Sequence, residues 1–407
     1  MIYPLADFWG LPSPLLDLKD RYPKSEEVRE DSEMRFVIER DALSDGVAWV
    51  SRSLSSRPIM PVLLGVVIDA KKSGVTLSGY DLETSAKAEV SADVKDEGRV
   101  LVPGRLLSDI TKSLPNKPVT IALDGNRVSI LSGSAKFALP TLPVNDYPNL
   151  PELPSETGRI TGEMFAHAVH QVAIAAGKDD SLPVLTGVFV EIEENKLTLA
   201  ATDRYRLAVR ELSWEAPRAS ASALIRARTL HDASKALIGS AQVSLALAAA
   251  TAQERLIGFS TSGKSMTSRM LDGTFPPYRH LLPNDRSATA IVEVAPFLDS
   301  VRRVAIVADK TIPLRLTFAP GSLTLEAGAG EEASATEELE IAFDGEGFTI
   351  AFNPTYLVDG LSALGTAYVD MAFTGASKPA VLSGRESADG QSDSSYRYLL
   401  MPMRYAS

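Results

Sequence analysis

The pattern of apolar and polar positions along this chain predicts three copies of one unit. A strand-like apolar-Thr-apolar triplet occurs at 75–77, 197–199 and 323–325, and its central threonines lie 122 and 126 residues apart. Because this period far exceeds the roughly 20–50 residues of solenoid repeats, each copy is expected to be a domain with its own core. A second set keeps the same spacing: Leu107, Asp109 and Leu114, then Leu230, Asp232 and Leu237, then Leu357, Asp359 and Leu364.

Each copy is predicted to contain two amphipathic helices separated by antiparallel strands. Apolar residues recur every three or four positions from 43 to 54, and Asp41 stands before them as the expected N-cap. Thr161 is the expected cap of the equivalent helix in the second copy, and Asn353 with Pro354 starts the second helix of the third. Runs with a period of two lie between the helices. The expected fold class is therefore α+β, with three similar domains.

The same repeat gives the predicted domain limits. The copies are expected at 34–156, 157–284 and 285–407, with Pro-rich stretches near the joins. Residues 1–33 precede the first copy and show neither helical nor strand periodicity, so we expect a flexible N-terminal extension there.

Composition narrows the class of protein. The 407 residues are 45% hydrophobic and 23% charged, as is usual for a globular protein. Cysteine is absent, which excludes disulfides and thiolate metal sites, and the spacing of the four histidines does not suggest a metal site. The sequence shows neither a bilayer-length apolar run nor a secretion signal. We therefore expect a cytoplasmic protein that uses no metal or cofactor and contacts no membrane.

The charge distribution leaves room for a polyanionic partner. The formal net charge is −11, which by itself argues against one. However, the predicted second helices at 103–118 and 225–240 each carry three basic residues against one acidic residue. An acidic protein can thus present a locally basic surface.

One segment matches a nucleotide-binding motif. Residues 258–265 satisfy the G-x-x-x-x-G-K-S phosphate-loop pattern, in which Lys264 and Ser265 would be the residues that such a hydrolase uses. That pattern needs a helix directly after the loop, but residues 266–271 run into Asp272-Gly273 and a Pro-rich stretch. The repeat also aligns the segment with 128–137, which is predicted as strand, turn and strand. We therefore favour a β-hairpin over a nucleotide hydrolase.

Two segments are typical of molecular recognition. Residues 201–207 follow a strand and combine guanidinium groups with an aromatic ring. The C-terminal stretch 398–404 is apolar and contains two methionines, which suit a groove that accepts varied peptides. An equally open interpretation is that Leu399 and Leu400 lie in a core strand and that the remaining residues form an ordinary loop. The usual serine-elbow, zincin and cysteine-nucleophile motifs are missing.

These segments together resemble the bacterial sliding clamp family, the beta subunits of DNA polymerase III. Further matching stretches are 57–63, 182–187, 275–279 and 352–357, and the resemblance extends from Met34 to Arg404. It implies a non-catalytic factor that confers processivity. It also implies a head-to-tail homodimer whose six domains form a ring, with helices lining the hole and antiparallel sheets outside. Only non-specific contact with double-stranded DNA is needed by such a ring.

The resemblance also implies roles for particular residues. A groove between the second and third domains would bind short linear peptides from the polymerase III alpha subunit, the clamp loader and repair polymerases. Its expected residues are Leu185, Thr202, Arg204, Tyr205, Arg206, Leu207, Pro276, His280, Leu281, Asn353, Tyr356, Met401, Pro402, Met403 and Arg404. The expected DNA-facing residues are Arg57, Arg105, Lys112, Lys178, Arg228, Lys235, Arg302 and Arg303. The expected dimer contacts are Phe137 and Leu139 against Ile306 and Val307.

Three functions therefore compete at this point. The leading hypothesis is a closed clamp on DNA, which would place the protein with the bacterial nucleoid. The rivals are a phosphate-loop nucleotide hydrolase that uses Lys264 and Ser265, and a peptide-binding scaffold that does not encircle DNA. Many family members carry Gly-His where this chain has Arg204-Tyr205, so its peptide preference is expected to differ.

Overall fold

The computed structural model describes residues 33–55, 57–214, 220–248, 255–283, 285–308, 313–328 and 333–404. Within these ranges the chain forms three successive units of one design, each with two helices and two groups of antiparallel strands. Nearly all of the stretch predicted to be a flexible extension lies outside the described residues.

The first unit shows how burial follows the sequence pattern. Along its first strand Met34, Phe36 and Ile38 are buried, whereas the residues between them are half-buried. Its strands are β1 (Met34–Ile38), β2 (Gly65–Lys71), β3 (Gly74–Tyr80), β4 (Thr84–Val90), β5 (Asp93–Asp96), β6 (Gly98–Pro103), β7 (Val119–Asp124), β8 (Arg127–Ser132) and β9 (Ala135–Pro140). Its helices are α1 (Arg40–Val50) and α2 (Gly104–Ser113).

The start of α1 differs from the prediction. Glu39 holds the N-cap position, and its side chain makes no capping hydrogen bond. Asp41 lies inside the first turn, where its carboxylate accepts a hydrogen bond from the Arg40 guanidinium at 2.6 Å. The chain enters the helix almost directly from β1, which ends at Ile38. Asp41 as N-cap was therefore wrong, although a carboxylate in the first turn still favours the helix dipole.

The second unit repeats this order. Thr161 is the N-cap of its first helix, since its hydroxyl accepts a hydrogen bond from the backbone N–H of Met164 at 3.3 Å, which confirms the prediction. Its strands are β10 (Glu156–Ile160), β11 (Gly187–Glu193), β12 (Lys196–Thr202), β13 (Arg206–Ser213), β14 (Ser220–Arg226), β15 (Val243–Leu247), β16 (Leu256–Thr261) and β17 (Lys264–Arg269). Its helices are α3 (Gly162–Ala173) and α4 (Ala227–Leu237).

The third unit has the second confirmed cap. The Asn353 side chain accepts from the backbone N–H of Thr355 at 2.9 Å, and Pro354 is the first residue of the helix. The strands are β18 (Ala288–Glu293), β19 (Leu314–Ala319), β20 (Ser322–Gly328), β21 (Ser334–Glu340), β22 (Ala342–Asp344), β23 (Phe348–Phe352), β24 (Tyr368–Phe373), β25 (Ala380–Arg385) and β26 (Tyr396–Leu400). The helices are α5 (Val294–Val304) and α6 (Pro354–Leu364).

Two of the four sheets cross from one unit to the next. The eight-stranded sheet has the order β10-β15-β16-β17-β4-β3-β2-β6, so β17 of the second unit pairs with β4 of the first. The nine-stranded sheet likewise joins β13 of the second unit to β26 of the third. The five-stranded sheet ends at β9 and the four-stranded sheet ends at β21. Backbone hydrogen bonds therefore connect the three units into one body.

The helices of each unit pack against each other and beneath the sheets. The contacting pairs are α1 with α2, α3 with α4, and α5 with α6. One apolar core runs through all three units and includes Trp49, Phe165 and Phe297, each almost completely buried. Smaller apolar clusters lie on the opposite side of two sheets, where loops cover them. This arrangement leaves the polar sides of the helices exposed.

Candidate functional site

A cleft lies at the junction of the second and third units. Its volume is about 470 Å³. The loop after α3, the turn between β12 and β13, and the start of α6 form its walls. The lining residues are Ala176, Gly177, Lys178, Asp179, Leu182, Leu185, Asp203, Arg204, Tyr205, Arg206, Thr355, Tyr356 and Asp359.

The turn between β12 and β13 is held by its own side chains. One carboxylate oxygen of Asp203 accepts hydrogen bonds from the backbone N–H groups of Tyr205 and Arg206, at 3.0 and 3.1 Å. The Thr202 hydroxyl accepts from the Arg204 N–H at 3.1 Å and donates to the Arg206 carbonyl at 2.6 Å. Arg204 adopts a φ of +81°, in the left-handed region. The turn thus presents Arg204 and Tyr205 to the cleft, and 56% of Tyr205 is exposed.

Arg206 connects the second unit to the third. Its side chain is only 4% exposed, and its guanidinium pairs with Asp203 at 3.0 Å and with Asp359 of α6 at 2.7 Å. It also lies 4.3 Å from the centre of the Tyr356 ring. Burial alone would lower the pKa of Arg206, but the neighbouring Tyr398, Asp359 and Asp203 raise it above its ordinary value. The residue is therefore a permanent cation that fixes one wall of the cleft.

The C-terminal segment completes this junction. The Met401 N–H donates to the Tyr205 carbonyl at 2.9 Å, and the Met403 N–H donates to the Ala351 carbonyl at 2.7 Å. Met401 is 40% exposed, Pro402 and Met403 are half-buried and Arg404 is exposed. The segment therefore continues the β13–β26 pairing past the end of the strand, with Leu399 and Leu400 buried in the sheet as one interpretation expected.

The predicted groove residues divide into three groups. Five line the cleft itself: Leu185, Arg204, Tyr205, Arg206 and Tyr356. Thr202 and Leu207 are buried behind the turn, Asn353 caps α6, and 401–404 follow β26 beside it. Pro276, His280 and Leu281 belong to a neighbouring loop, which Phe275 and Tyr278 anchor on the outer side of the sheet. These three are exposed but do not line the cleft.

Sequence reasoning missed several residues that line the cleft. Asp203 and Asp359 are the partners of Arg206, yet they are 156 residues apart in the chain. The recurrence of Asp359 with Asp109 and Asp232 marked that position without revealing its partner. Lys178, expected to face DNA, lines this cleft and a neighbouring hollow beside Arg228. The other missed residues are Ala176, Gly177, Asp179, Leu182 and Thr355.

The other predicted DNA-facing cations are exposed on or near the helices. Arg105 and Lys112 lie on α2, and Arg228 and Lys235 lie on α4. Arg57 lies in the loop that follows α1 and its short 3₁₀ turn. On α5, Arg302 is 3.7 Å from Asp299, whereas Arg303 pairs with Glu337 of β21. The Glu337 hydrogen bond raises the pKa of Arg303.

Comparison with known proteins agrees with this architecture. Family models of the DNA polymerase III beta subunit match three stretches of the chain: the N-terminal domain at 34–151, the central domain at 159–277 and the C-terminal domain at 279–404. The chain belongs to the DNA polymerase III beta subunit family. It is a DNA sliding clamp with the three-domain clamp fold, and members of this family are non-catalytic processivity factors.

Bacterial relatives cover almost the whole described chain. The beta sliding clamp of Streptomyces coelicolor is 50% identical over 373 residues, which are 91% of this chain and 99% of that protein. The Bacillus subtilis clamp structure has a TM-score of 0.84 at 27% identity, covering 92% of this chain and 100% of that one. A Pseudomonas aeruginosa clamp bound to griselimycin has a TM-score of 0.85 at 27% identity, with the same coverage.

The phosphate-loop match in this clamp is a β-hairpin, as predicted. Residues 258–265 span the end of β16, a turn at Gly263 and the start of β17, where the motif would need a helix. The Lys264 ammonium donates to Asp45 of α1 at 2.6 Å and lies 5.7 Å from the Trp49 ring. The Trp49 indole N–H is within 3.1 Å of the Lys87 carbonyl and 3.2 Å of the Ser265 carbonyl. These contacts join the first unit to the second, and nothing supports nucleotide hydrolysis.

Three histidines of the clamp gather between α3 and α4. The His170 and His231 rings stack with centroids 6.2 Å apart, and His167 lies one turn before His170. They border a shallow hollow of about 640 Å³ that also contains Met164 and Lys235. Burial lowers the pKa of His167 and of His231, and nearby cations lower both further. Among the described residues, no group of three or more histidine or acidic side chains could hold a metal ion.

The described helices are all too short or too polar to cross a membrane.

Proposed function

We propose that two copies of this clamp join head to tail in a closed ring around double-stranded DNA. The repetition of one sheet joint carries the proposal. In each joint, the third of three consecutive antiparallel strands in one unit pairs with the last strand of the next unit. At the first joint β4 pairs with β17, and at the second β13 pairs with β26. In the third unit the strand equivalent to β4 and β13 is β21, and in the first unit the strand equivalent to β17 and β26 is β9. Both β21 and β9 lie at sheet edges. Pairing β9 with β21 of a partner would repeat the joint and close the ring.

The two free edges have complementary surfaces. On the β21 side, Ile306 is 81% exposed, and Glu338 and Glu340 of the strand are exposed whereas Glu337 and Leu339 are half-buried. On the β9 side, Lys136 is exposed and Phe137 is half-buried. We propose that Phe137 packs against Ile306 and Val307 of the partner. Leu139 is fully buried within its own core and would support this contact from beneath.

Native mass and DNA topology test the ring. The mass of the particle in solution should equal two chains. The dimer should be retained on nicked circular DNA and released when the DNA is linearised, because enclosure rather than affinity holds it. Equal retention on both forms, or a monomer throughout, would favour the scaffold that does not encircle DNA.

The exposed cations of the helices support non-specific DNA contact. A ring that slides needs weak attraction to phosphates without base readout. We propose that Arg57, Arg105, Lys112, Lys178, Arg228, Lys235, Arg302 and Arg303 contribute to it. Because Arg303 is held by Glu337 beside the proposed joint, its contribution is expected to be the weakest. Replacing Arg105 and Arg228 together by glutamine should reduce the salt dependence of DNA association without altering the dimer.

We propose that the cleft at the second joint binds short linear peptides. Its apolar lining and exposed Tyr205 and Met401 suit an extended apolar segment. Support comes from the Pseudomonas aeruginosa clamp, which was solved bound to griselimycin. Expected partners are the polymerase III alpha subunit, the clamp loader and repair polymerases. We propose that the groove comprises all the residues that the family resemblance implied, together with the cleft-lining residues that the sequence did not indicate.

Removing residues 401–407 tests this groove. The truncated protein should keep its dimer mass, because the free edges lie elsewhere, and should lose binding of a polymerase-derived peptide. Unchanged peptide affinity would contradict the proposal. An inhibitor with peptide-like chemistry should compete with that peptide for wild-type protein.

Two smaller proposals complete the assignment. We propose domain limits at 34–156, 157–284 and 285–407, with 1–33 as an appended segment. We also propose that the clamp is a cytoplasmic protein associated with the nucleoid. Fluorescence imaging of a tagged clamp during replication would test the location, and diffuse signal in replicating cells would contradict it.

A further inference from the structure

Two turns of this clamp have the same geometry and the same strain. Asp81 accepts hydrogen bonds from the backbone N–H groups of Glu83 and Thr84, just as Asp203 accepts them from the two residues that follow Arg204. The residue after each aspartate is left-handed, with a φ of +75° at Leu82 and +81° at Arg204. Any side chain other than glycine is disfavoured in this conformation. A side chain at either position therefore needs an interaction that offsets the backbone strain.

Leu82 has a structural reason and Arg204 does not. Leu82 packs against the apolar cluster of the first unit, which contains Leu63, Tyr80 and Tyr147, so burial offsets its strain. Arg204 is exposed and forms no salt bridge with a residue that the structure describes, and its charge acts on Asp179 only at longer range. Its nearest ring contact is the neighbouring Tyr205, 6.0 Å away. Strain that the fold does not require is a pointer to a ligand.

The charges of the cleft indicate the chemistry of that ligand. Arg206 is already paired with two carboxylates, Asp203 and Asp359, so it offers no free positive charge to a ligand. The remaining charges that line the cleft are the cations of Lys178 and Arg204 and the carboxylate of Asp179. The Asp179 carboxylate accepts from Ser181, whose hydrogen bonds lower the pKa of Asp179. Over the whole lining three cations balance three carboxylates, but among the exposed charges the two cations Lys178 and Arg204 outnumber the single carboxylate of Asp179. These exposed charges border the apolar side chains of Leu182 and Leu185.

We propose that Arg204 is a specificity-determining residue that binds a carboxylate of the incoming peptide. This rests on the proposed peptide-binding function of the cleft and adds the chemistry it selects. The ligand is a short apolar segment with an adjacent negative charge. That charge belongs either to an Asp or Glu side chain or to the peptide C-terminus. The planar guanidinium suits both sources, because it can donate two parallel hydrogen bonds to a carboxylate.

The test uses the full-length clamp and a peptide found with it. Overlapping fluorescein-labelled peptides that tile the polymerase III alpha subunit are titrated against wild-type protein, with fluorescence anisotropy as the readout. The binding peptide is then made with each acidic side chain replaced by its amide, and separately with a free or an amidated C-terminus. These arms distinguish the two sources of the carboxylate.

Arg204→Gly is expected to weaken binding of the carboxylate form about fivefold, which corresponds to about 1 kcal/mol for a partly exposed ion pair. Binding of the amide form should change less than about twofold. Arg204→Lys should restore much of the loss because it restores the charge. The melting temperature of Arg204→Gly should not fall, since glycine suits the left-handed turn. Lys72→Gln removes an exposed cation in the first unit and serves as the control, with no effect expected on either peptide.

Each contrary result is separable. Equal weakening of the carboxylate and amide forms by Arg204→Gly would overturn the assignment of Arg204 while leaving the groove as a peptide site. A binding peptide without any nearby carboxylate would do the same. If no alpha-subunit peptide bound wild-type clamp, the proposed groove function would fail, and this inference with it.

Discussion

Replacing Arg206 by methionine tests how strongly one buried cation joins the second unit to the third. Methionine retains an apolar stem of similar length but leaves Asp203 and Asp359 without their partner, and these are 12% and 35% exposed. Breaking a fully buried ion pair costs about 3–5 kcal/mol. Because Asp359 keeps access to water, we expect about 2–3 kcal/mol here, including loss of the stacking on Tyr356.

Hydrogen exchange at the amides of β26 measures this quantity locally. Because the clamp has several units, a single unfolding midpoint would mix their stabilities. The opening free energy at β26 should fall by the amount given above, while that at β9 in the first unit should stay constant. Asp359→Asn keeps an oxygen that can accept from Arg206 and should cost less, about 1 kcal/mol. The reasoning would be refuted if Arg206→Met lowered the opening free energy at β26 by less than about 1 kcal/mol. It would also be refuted if the opening free energy at β9 fell as much as that at β26.

Three further predictions concern other parts of the molecule. Ile306→Asp should place a charge in the proposed subunit contact and weaken the dimer at least about tenfold in analytical ultracentrifugation, and an unchanged dimer would count against the β9–β21 joint. Lys264→Met should lower stability by about 1 kcal/mol, through loss of the partly exposed contact with Asp45 and of the Trp49 contact. Neither this variant nor wild type should release phosphate from ATP, so a turnover that the substitution abolished would revive the hydrolase. The pKa values of His167 and His231 are lowered, so the folded state resists their protonation. Their contribution to stability is therefore fully present above the unfolded-state pKa of about 6.5. It is lost as the pH falls through their lower pKa values in the folded state. Replacing both by asparagine should flatten this acid-side loss in thermal melts, and an unaltered pH profile would contradict the assignment.

The sequence was most informative where structure depends on neighbouring residues. Thr161 and Asn353 were recognised as caps because capping joins residues only two or three positions apart. The hairpin at 258–265 was predicted because the residues after it leave no room for a helix and because the repeat aligns it with 128–137, and these signals correctly outweighed a full match to the phosphate-loop pattern. Asp41 failed because the helix begins nearer the preceding strand than the apolar pattern indicates, a shift of about two residues.

The cleft was predictable only in part, because its walls meet through long-range contacts. The repeat and the family resemblance pointed to the turn containing Arg204 and to the C-terminal methionines. They could not reveal that Arg206 pairs with Asp359, since these residues are 153 positions apart and belong to different units. Lys178 was assigned to the DNA surface by the family resemblance alone, yet it lies in the cleft lining. The φ of Arg204 was likewise invisible to sequence, because the residue is not a glycine.

The pairing of β4 with β17 and of β13 with β26 has a consequence for divergence within the family. These seams are held largely by main-chain N–H and C=O groups, which every residue except proline supplies in full. Amino-acid identity along a seam can therefore drift while its connection persists. This explains in physical terms how a Bacillus subtilis clamp only 27% identical retains the same arrangement over 92% of this chain.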